Sequence, residues 1–147
     1  MKVAATSQGR VCGYFLDAQL GDAPLETAQQ KYGCTDAEAI HALSDQDFQE
    51  IFENRDGRAL YWHGDSNSLT VRPVQMPSAN STTIIADNED QFVLTGLPEN
   101  AEVFVNNEPA GVVSGGVFSM VSDSPGTYQI RSTVWPYEDY HILVEAE

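Results

Sequence analysis

The sequence predicts an α+β chain in two parts: a small β-hairpin/helix/β-hairpin domain over residues 1–76, a linker at 77–81, and an all-β sandwich over 82–147. Three observations carry this. After residue 82, short strand-like runs alternate with turn residues, and no helical period appears among them. Before residue 76, a short apolar helical face stands between two hairpin signals. Between the two parts, "RPVQMPSANSTT" combines two prolines with a polar Ser/Asn/Thr run, which marks a connection with its boundary near Pro77 to Asn80. Charge shifts at the same place: residues 1–79 carry a net −5, and residues 80–147 a net −10 with Arg131 as the one basic residue.

The elements follow in order. "KVAATSQGRVCGYFLD" holds two β-prone pieces around "SQGR", whose glycine suits a hairpin turn. "LGDAP" then ends the second strand. Two helix starts compete downstream. Thr35 with Glu38 fits the capping pattern S/T-x-x-E, in which the two residues satisfy free N–H groups reciprocally. Ser44 with Asp47 has the same spacing and places a carboxylate at the positive end of a helix. Phe48, Ile51 and Phe52 then form one apolar face, with Gly57 as the expected C-terminal cap. A hairpin follows, with one strand through Leu60 to Trp62, a turn at "GDSNS", and a second strand at Leu69 to Val71.

The second part reads as "TTIIA", "QFVLTGL", "AEVFVN", "GVFSMV", "TYQIRSTVW" and "YHILVEA", separated by "DNED", "LPEN", "NNEPAG", "SGG" and "SDSPG". Tyr128, Ile130 and Val134 alternate with Gln129, Arg131 and Thr133, so one face is buried and the other wet. Strands at this spacing predict a small antiparallel sandwich of immunoglobulin-like (Ig-like) type. Residues 80–147 contain no cysteine, so the Cys…Trp…Cys spacing of antibody domains is absent.

Composition bounds the function. The chain has 147 residues, 41% hydrophobic, with 22 acidic and 7 basic residues for a net −15. Nucleic acids and anionic membranes need Lys and Arg to neutralise phosphates, so neither is an expected partner. No apolar run reaches the ~18–20 residues of a membrane-spanning helix, so no membrane insertion is expected. The opening "MKVAATSQGRVCGYF" lacks an uninterrupted apolar core, so a signal peptide is not expected, and Cys12 and Cys34 are expected as reduced thiols.

Catalytic motifs are sparse. The histidines are His41, His63 and His141. Cys34 and His41 could form a nucleophile pair only if the fold joined them. No zinc, phosphate-loop or G-x-S-x-G pattern occurs. "ADNED" at 86–90 and "HGDSNS" at 63–68 are oxygen-rich, but Asp, Asn and Ser are also ordinary turn residues. Asp45, Asp47, Glu50 and Glu53 read as the solvated face of a helix. No enzyme activity, no metal and no cofactor are expected.

Aromatic residues are the better candidates. Proline cannot donate a ladder hydrogen bond, so Trp135-Pro136 is expected to end one strand at a bend, with the last strand resuming at Tyr140. Either Trp135 covers the open end of the core, or Trp135, Tyr137 and Tyr140 dock onto a partner, as Trp and Tyr often do. Tyr61 and Trp62 are candidates on the same ground.

A resemblance gives these parts a setting. "MKVAATSQGRVCGYFLD", "LGDAP", "LSDQDFQEIFE" and the hairpin ending in "LTVRP" resemble the N-terminal region of tail-fibre-assembly-like proteins of tailed bacteriophages, over residues 1–75. "FVLTGLPENAEVFVNNEPAG", "SDSPGTYQIR" and "WPYEDYHILVEA" resemble small Ig-like modules on phage tail proteins, over residues 82–146. "LETAQQKYGCTDAEAIHA" is longer than the break in that pattern and counts against a direct chaperone role. The resemblance implies a structural viral protein of the virion tail, an adaptor at the baseplate or tail fibre, made in the host cytoplasm. Its partners would be other phage tail proteins, fibre or baseplate, with several copies or a homo-oligomer per virion. A tail-fibre assembly chaperone absent from the virion, and a host-receptor or glycan-binding module, are the alternatives.

Overall fold

Antiparallel pairing begins within the first fifteen residues. In the computed structural model, which describes residues 1–47, 49 and 59–147, β1 (Lys2–Ala5) and β2 (Val11–Phe15) form a hairpin. Gly9 turns it with φ +78°, and a Cβ there would overlap the Trp62 carbonyl oxygen, so the position needs glycine twice over. The chain divides into two compact units, Met1–Arg72 and Pro73–Glu147.

In the first unit, α1 (Asp17–Leu20) follows directly, and the Gln19 side chain accepts the Leu16 N–H at 2.6 Å. Then comes α2 (Pro24–Tyr32), with Pro24 in its first turn and left-handed Gly33 at its end. This helix was not anticipated, although Pro24, Glu26, Lys31 and Gly33 all stand at favoured positions. Its apolar content is thin: only Ala28 is fully buried.

The expected helix start at Thr35 does not form. Ala39–Ala42 is instead a strand, β3, paired antiparallel to β1 in a sheet of order β2-β1-β3. Tertiary pairing overrides the local cap signal here, because Ile40 and His41 serve opposite faces of the sheet. Ala4 and Ile40 pack with Phe15, Leu20, Ala28 and Cys34 on the helix side. Val3 and Ala5 pack on the other side with Trp62 and Leu69. Those two come from the hairpin of β4 (Leu60–His63) and β5 (Ser68–Val71).

The Ser44 helix start is real. Asp45, Gln46, Asp47 and Gln49 are helical. Asp47 accepts hydrogen bonds from the Ser44 amide and hydroxyl, both at 2.7 Å, and its own amide donates to the Ser44 hydroxyl at 3.1 Å. Its other oxygen accepts the Leu69 N–H at 2.6 Å, and the residue is only 2% exposed. Asp47 is therefore not on a solvated face, as its place in the acidic run suggested; it joins the helix start to β5. Phe48, Glu50, Ile51, Phe52, Glu53 and Gly57 lie outside the described residues.

The second unit holds β6 (Ser78–Ala79), β7 (Thr83–Ile84), β8 (Phe92–Thr95), β9 (Glu102–Val105), β10 (Glu108–Val112), β11 (Val117–Met120), β12 (Gly126–Thr133) and β13 (Tyr140–Ala146). One sheet has the order β10-β9-β12-β13-β7 and the other β11-β8-β6. Between them lies one core containing Ile84, Phe92, Leu94, Val103, Ile130 and Val144. The chain is mostly β, and this strand order follows the Ig-like plan, with the first stretch split between two sheets. One pair departs from the antiparallel expectation: β7 runs parallel to β13. Asn106 and Asn107, with φ 50° and 68°, make the two-residue turn between β9 and β10.

The linker expected at 77–81 is part of the sandwich. Ser78–Ala79 pairs with β8, and the Asn80 side chain accepts the Val93 N–H and donates to the Gln91 carbonyl, both at 2.8 Å. The boundary instead falls between Arg72 and Pro73. Gln75 is 8% exposed; its amide donates to the carbonyls of Ser132 and Glu138 and accepts the Ser132 hydroxyl at 2.8 Å. The polar residues that resembled a linker are satisfying sandwich backbone. Gln75→Leu should strand these buried partners and lower the stability of this unit by about 2 kcal/mol in urea unfolding. An unchanged midpoint would show that water replaces the amide.

Candidate functional site

The five aromatic candidates fall in two places. Trp135 and Tyr137 are half-buried on the connection between β12 and β13, where the Trp135–Pro136 peptide bond is cis. The chain bends there, as the proline predicts, and β13 starts at Tyr140. Val134 and Tyr140 pack against the sandwich core, so Tyr140 contributes to covering it.

Tyr61 and Trp62 are neighbours on β4 and point to opposite faces. Trp62 is 5% exposed and belongs to the core with Val3, Ala5 and Leu69. Its assignment as a docking residue is therefore corrected: it is a packing residue, because the β4–β5 hairpin closes over one face of the first sheet. Tyr61 is half-buried, with its ring edge-on to His63 at 5.8 Å.

These residues border an open depression of about 390 Å³ in the first unit. Its walls are Thr6 to Gly9 of the first turn and Gly64, Asp65 and Asn67 of the β4–β5 turn. Its base includes His41 stacked on Trp62, with ring centroids 4.2 Å apart and planes at 17°. Burial lowers the His41 pKa from its ordinary 6.5, so its ring is neutral at neutral pH. His63 Nδ1 accepts the Ser66 N–H at 3.2 Å and lies 2.9 Å from the Ser66 hydroxyl. Both contacts close a tight turn.

The other constellations resolve similarly. Cys34 packs on the helix side of the first sheet, whereas His41 stacks on the opposite side, so the sheet separates them. Burial raises the pKa of Cys34, which keeps it a thiol. In the 86–90 turn, Asp87 accepts the amides of Glu89 and Asp90, and Asp90 accepts the Ile85 amide, all at 2.8 Å. These carboxylates hold backbone. Among the described residues, no three His, Cys, Asp or Glu side chains gather as a metal site would need.

The sandwich carries features that single-residue reading did not register. Arg131 stacks its guanidinium over the Phe104 ring at 4.2 Å and lies 3.5 Å from Asp139. The one cation of this unit is thus engaged within it. Val112, Val117 and Val121 are exposed around β10 and β11.

No protein-family model matches the chain, and no curated protein matches it. Among solved structures, the C-terminal 282-residue fragment of intimin, in complex with the intimin-binding domain of the translocated intimin receptor, is similar to this chain at 19% identity with a TM-score of 0.33. That match covers 50% of this chain and 32% of the intimin fragment.

Proposed function

We propose that this chain is a non-enzymatic structural protein of a bacteriophage tail, an adaptor at the baseplate or tail fibre of the virion. The resemblance of its two parts to tail proteins supplies the setting. The observation that supports an adaptor is the pairing of two β-rich units, each with its own buried cluster, the second a strongly acidic sandwich. Two surfaces on one chain suit a joint between two partners. A net −15 speeds encounter with a basic patch on a large assembly, while apolar contact supplies affinity. Its partners are then other tail proteins, and several copies act in one virion.

Mass spectrometry of purified, salt-washed particles tests this. Abundant peptides of this chain are the expected result. Their absence, alongside strong expression in the infected cell, would replace the adaptor by an assembly chaperone. Binding of the isolated protein to whole host cells would favour a receptor- or glycan-binding module.

A further inference from the structure

Four strands form the edges of the sandwich: β6 and β11 in one sheet, β7 and β10 in the other. An exposed edge presents unpaired N–H and C=O groups, and proteins blunt such edges with short strands, charges, proline or bulges. Three of the four are blunted. β6 and β7 are two residues each. β10 carries Glu108, Pro109 and a bulge between Pro109 and Gly111. β11 has none of these devices. Its sequence is Val117-Phe118-Ser119-Met120, and exposed Val121 continues it.

β8 takes one side of β11 along its full length. On the other side, Ser114 bridges to Val117 and closes only the first residue. Phe118 to Met120 remain an edge whose outer backbone groups are open, since ladder bonds of an antiparallel strand point alternately to its two sides. Phe118 and Met120 turn inward onto the core, and Ser119 points out. The segment is anchored from within and available from outside.

The charge around this edge selects its occupant. At one end, the Glu99 carboxylate holds the Gly115 amide at 2.9 Å. At the other end, the Ser122 carbonyl accepts the Asn88 N–H at 2.8 Å, which brings the Asp87–Asp90 turn beside the end of β11. Asp87, Glu89 and Asp123 are exposed there. A second copy of this chain would bring its own sandwich, with the same net −10 over residues 80–147, against an equally acidic surface. We infer that the β11 edge accepts an extended, Lys/Arg-flanked segment of another protein as an added strand, with main-chain bonds to Phe118–Met120 and basic side chains on the acidic ends. This rests on reading the chain as a binding protein and adds the surface and the chemistry of the partner.

The test uses the full, isotope-labelled chain and a synthetic peptide of about ten residues, alternating Thr and Val with two lysines at each end. The expected result is amide shifts and slowed hydrogen exchange centred on Phe118–Val121. Binding should weaken about tenfold with a Glu-ended peptide, with Ser119→Lys, and on raising salt from about 0.05 to about 0.5 M. Unchanged amide shifts at Phe92 and Ile130 in the variant would show that the core is intact. The inference is overturned if the shifts map to β10, if both peptides bind equally, if β11 shows no change at millimolar peptide, or if β11 becomes protected by self-association without peptide. The particle experiment stands apart: absence from particles sinks the tail adaptor even if the peptide binds, and peptide failure leaves that reading standing.

Discussion

Trp62→Ala is expected to lower the stability of the first unit by about 3–5 kcal/mol, the range for emptying a large aromatic site in a core. Trp62 fills the space between the sheet residues Val3 and Ala5 and the hairpin residue Leu69. Val11, Leu43 and Leu60 pack against the same cluster, and removing so large a ring leaves a space that these side chains cannot fill by a minor shift. The variant also removes the ring on which His41 stacks. Hydrogen exchange, read amide by amide over β1, β3 and β4, is the right measurement, because two units need not unfold in one step. Protection that falls across all three strands is the expected pattern. A folded variant that instead loses partner binding would return Trp62 to the docking surface.

Asp47→Ala is the second large effect, on the order of 3 kcal/mol. Its carboxylate takes three hydrogen bonds, from the Leu69 amide and from the amide and hydroxyl of Ser44. Alanine keeps the backbone bond from residue 47 to the Ser44 hydroxyl but removes the carboxylate that accepts the Ser44 amide, and it strands the Leu69 N–H at a buried position. Burial alone would raise the pKa of this carboxyl. The hydrogen bonds from Leu69 and Ser44 outweigh it, so the pKa lies below its ordinary 3.8. The folded state therefore binds the proton less readily than the unfolded chain. The stabilisation is complete above about pH 4 and is lost as pH falls through the depressed folded value. Acid titration of the first unit should show this loss in the wild type and not in Asp47→Ala. An identical acid profile in both would mean that the buried carboxylate does not govern the acid limit.

Some of this was legible in the residues. The opening hairpin followed from "SQGR", the β4–β5 hairpin from "GDSNS", and the sandwich strands from short runs between turn residues. In each case the signal is local, since a turn type demands particular residues whatever lies elsewhere. The Ser44–Asp47 cap was equally local. What it did not reveal was the second partner of Asp47, the Leu69 amide 22 residues away.

The misreadings share one cause. Thr35 and Glu38 carry a helix-start pattern, yet Ala39–Ala42 gains more by pairing with β1 and facing a core on each side. Residues 77–81 have linker composition, yet the backbone of Ser78–Ala79 pairs with β8 and the Asn80 side chain accepts the Val93 N–H of that strand. Trp62 is an aromatic of the kind that anchors interfaces, and only the hairpin folding over the sheet makes it core. Cys34 and His41 are near in sequence, and the sheet sets them on opposite faces. The sequence by itself determined the local turns, the caps, the alternating strands and the acidic charge, because each depends on neighbours along the chain. Only the tertiary structure decided which aromatics are buried, where one unit ends, and which sheet edge lacks protection, because burial and strand pairing depend on residues brought together from distant parts of the chain.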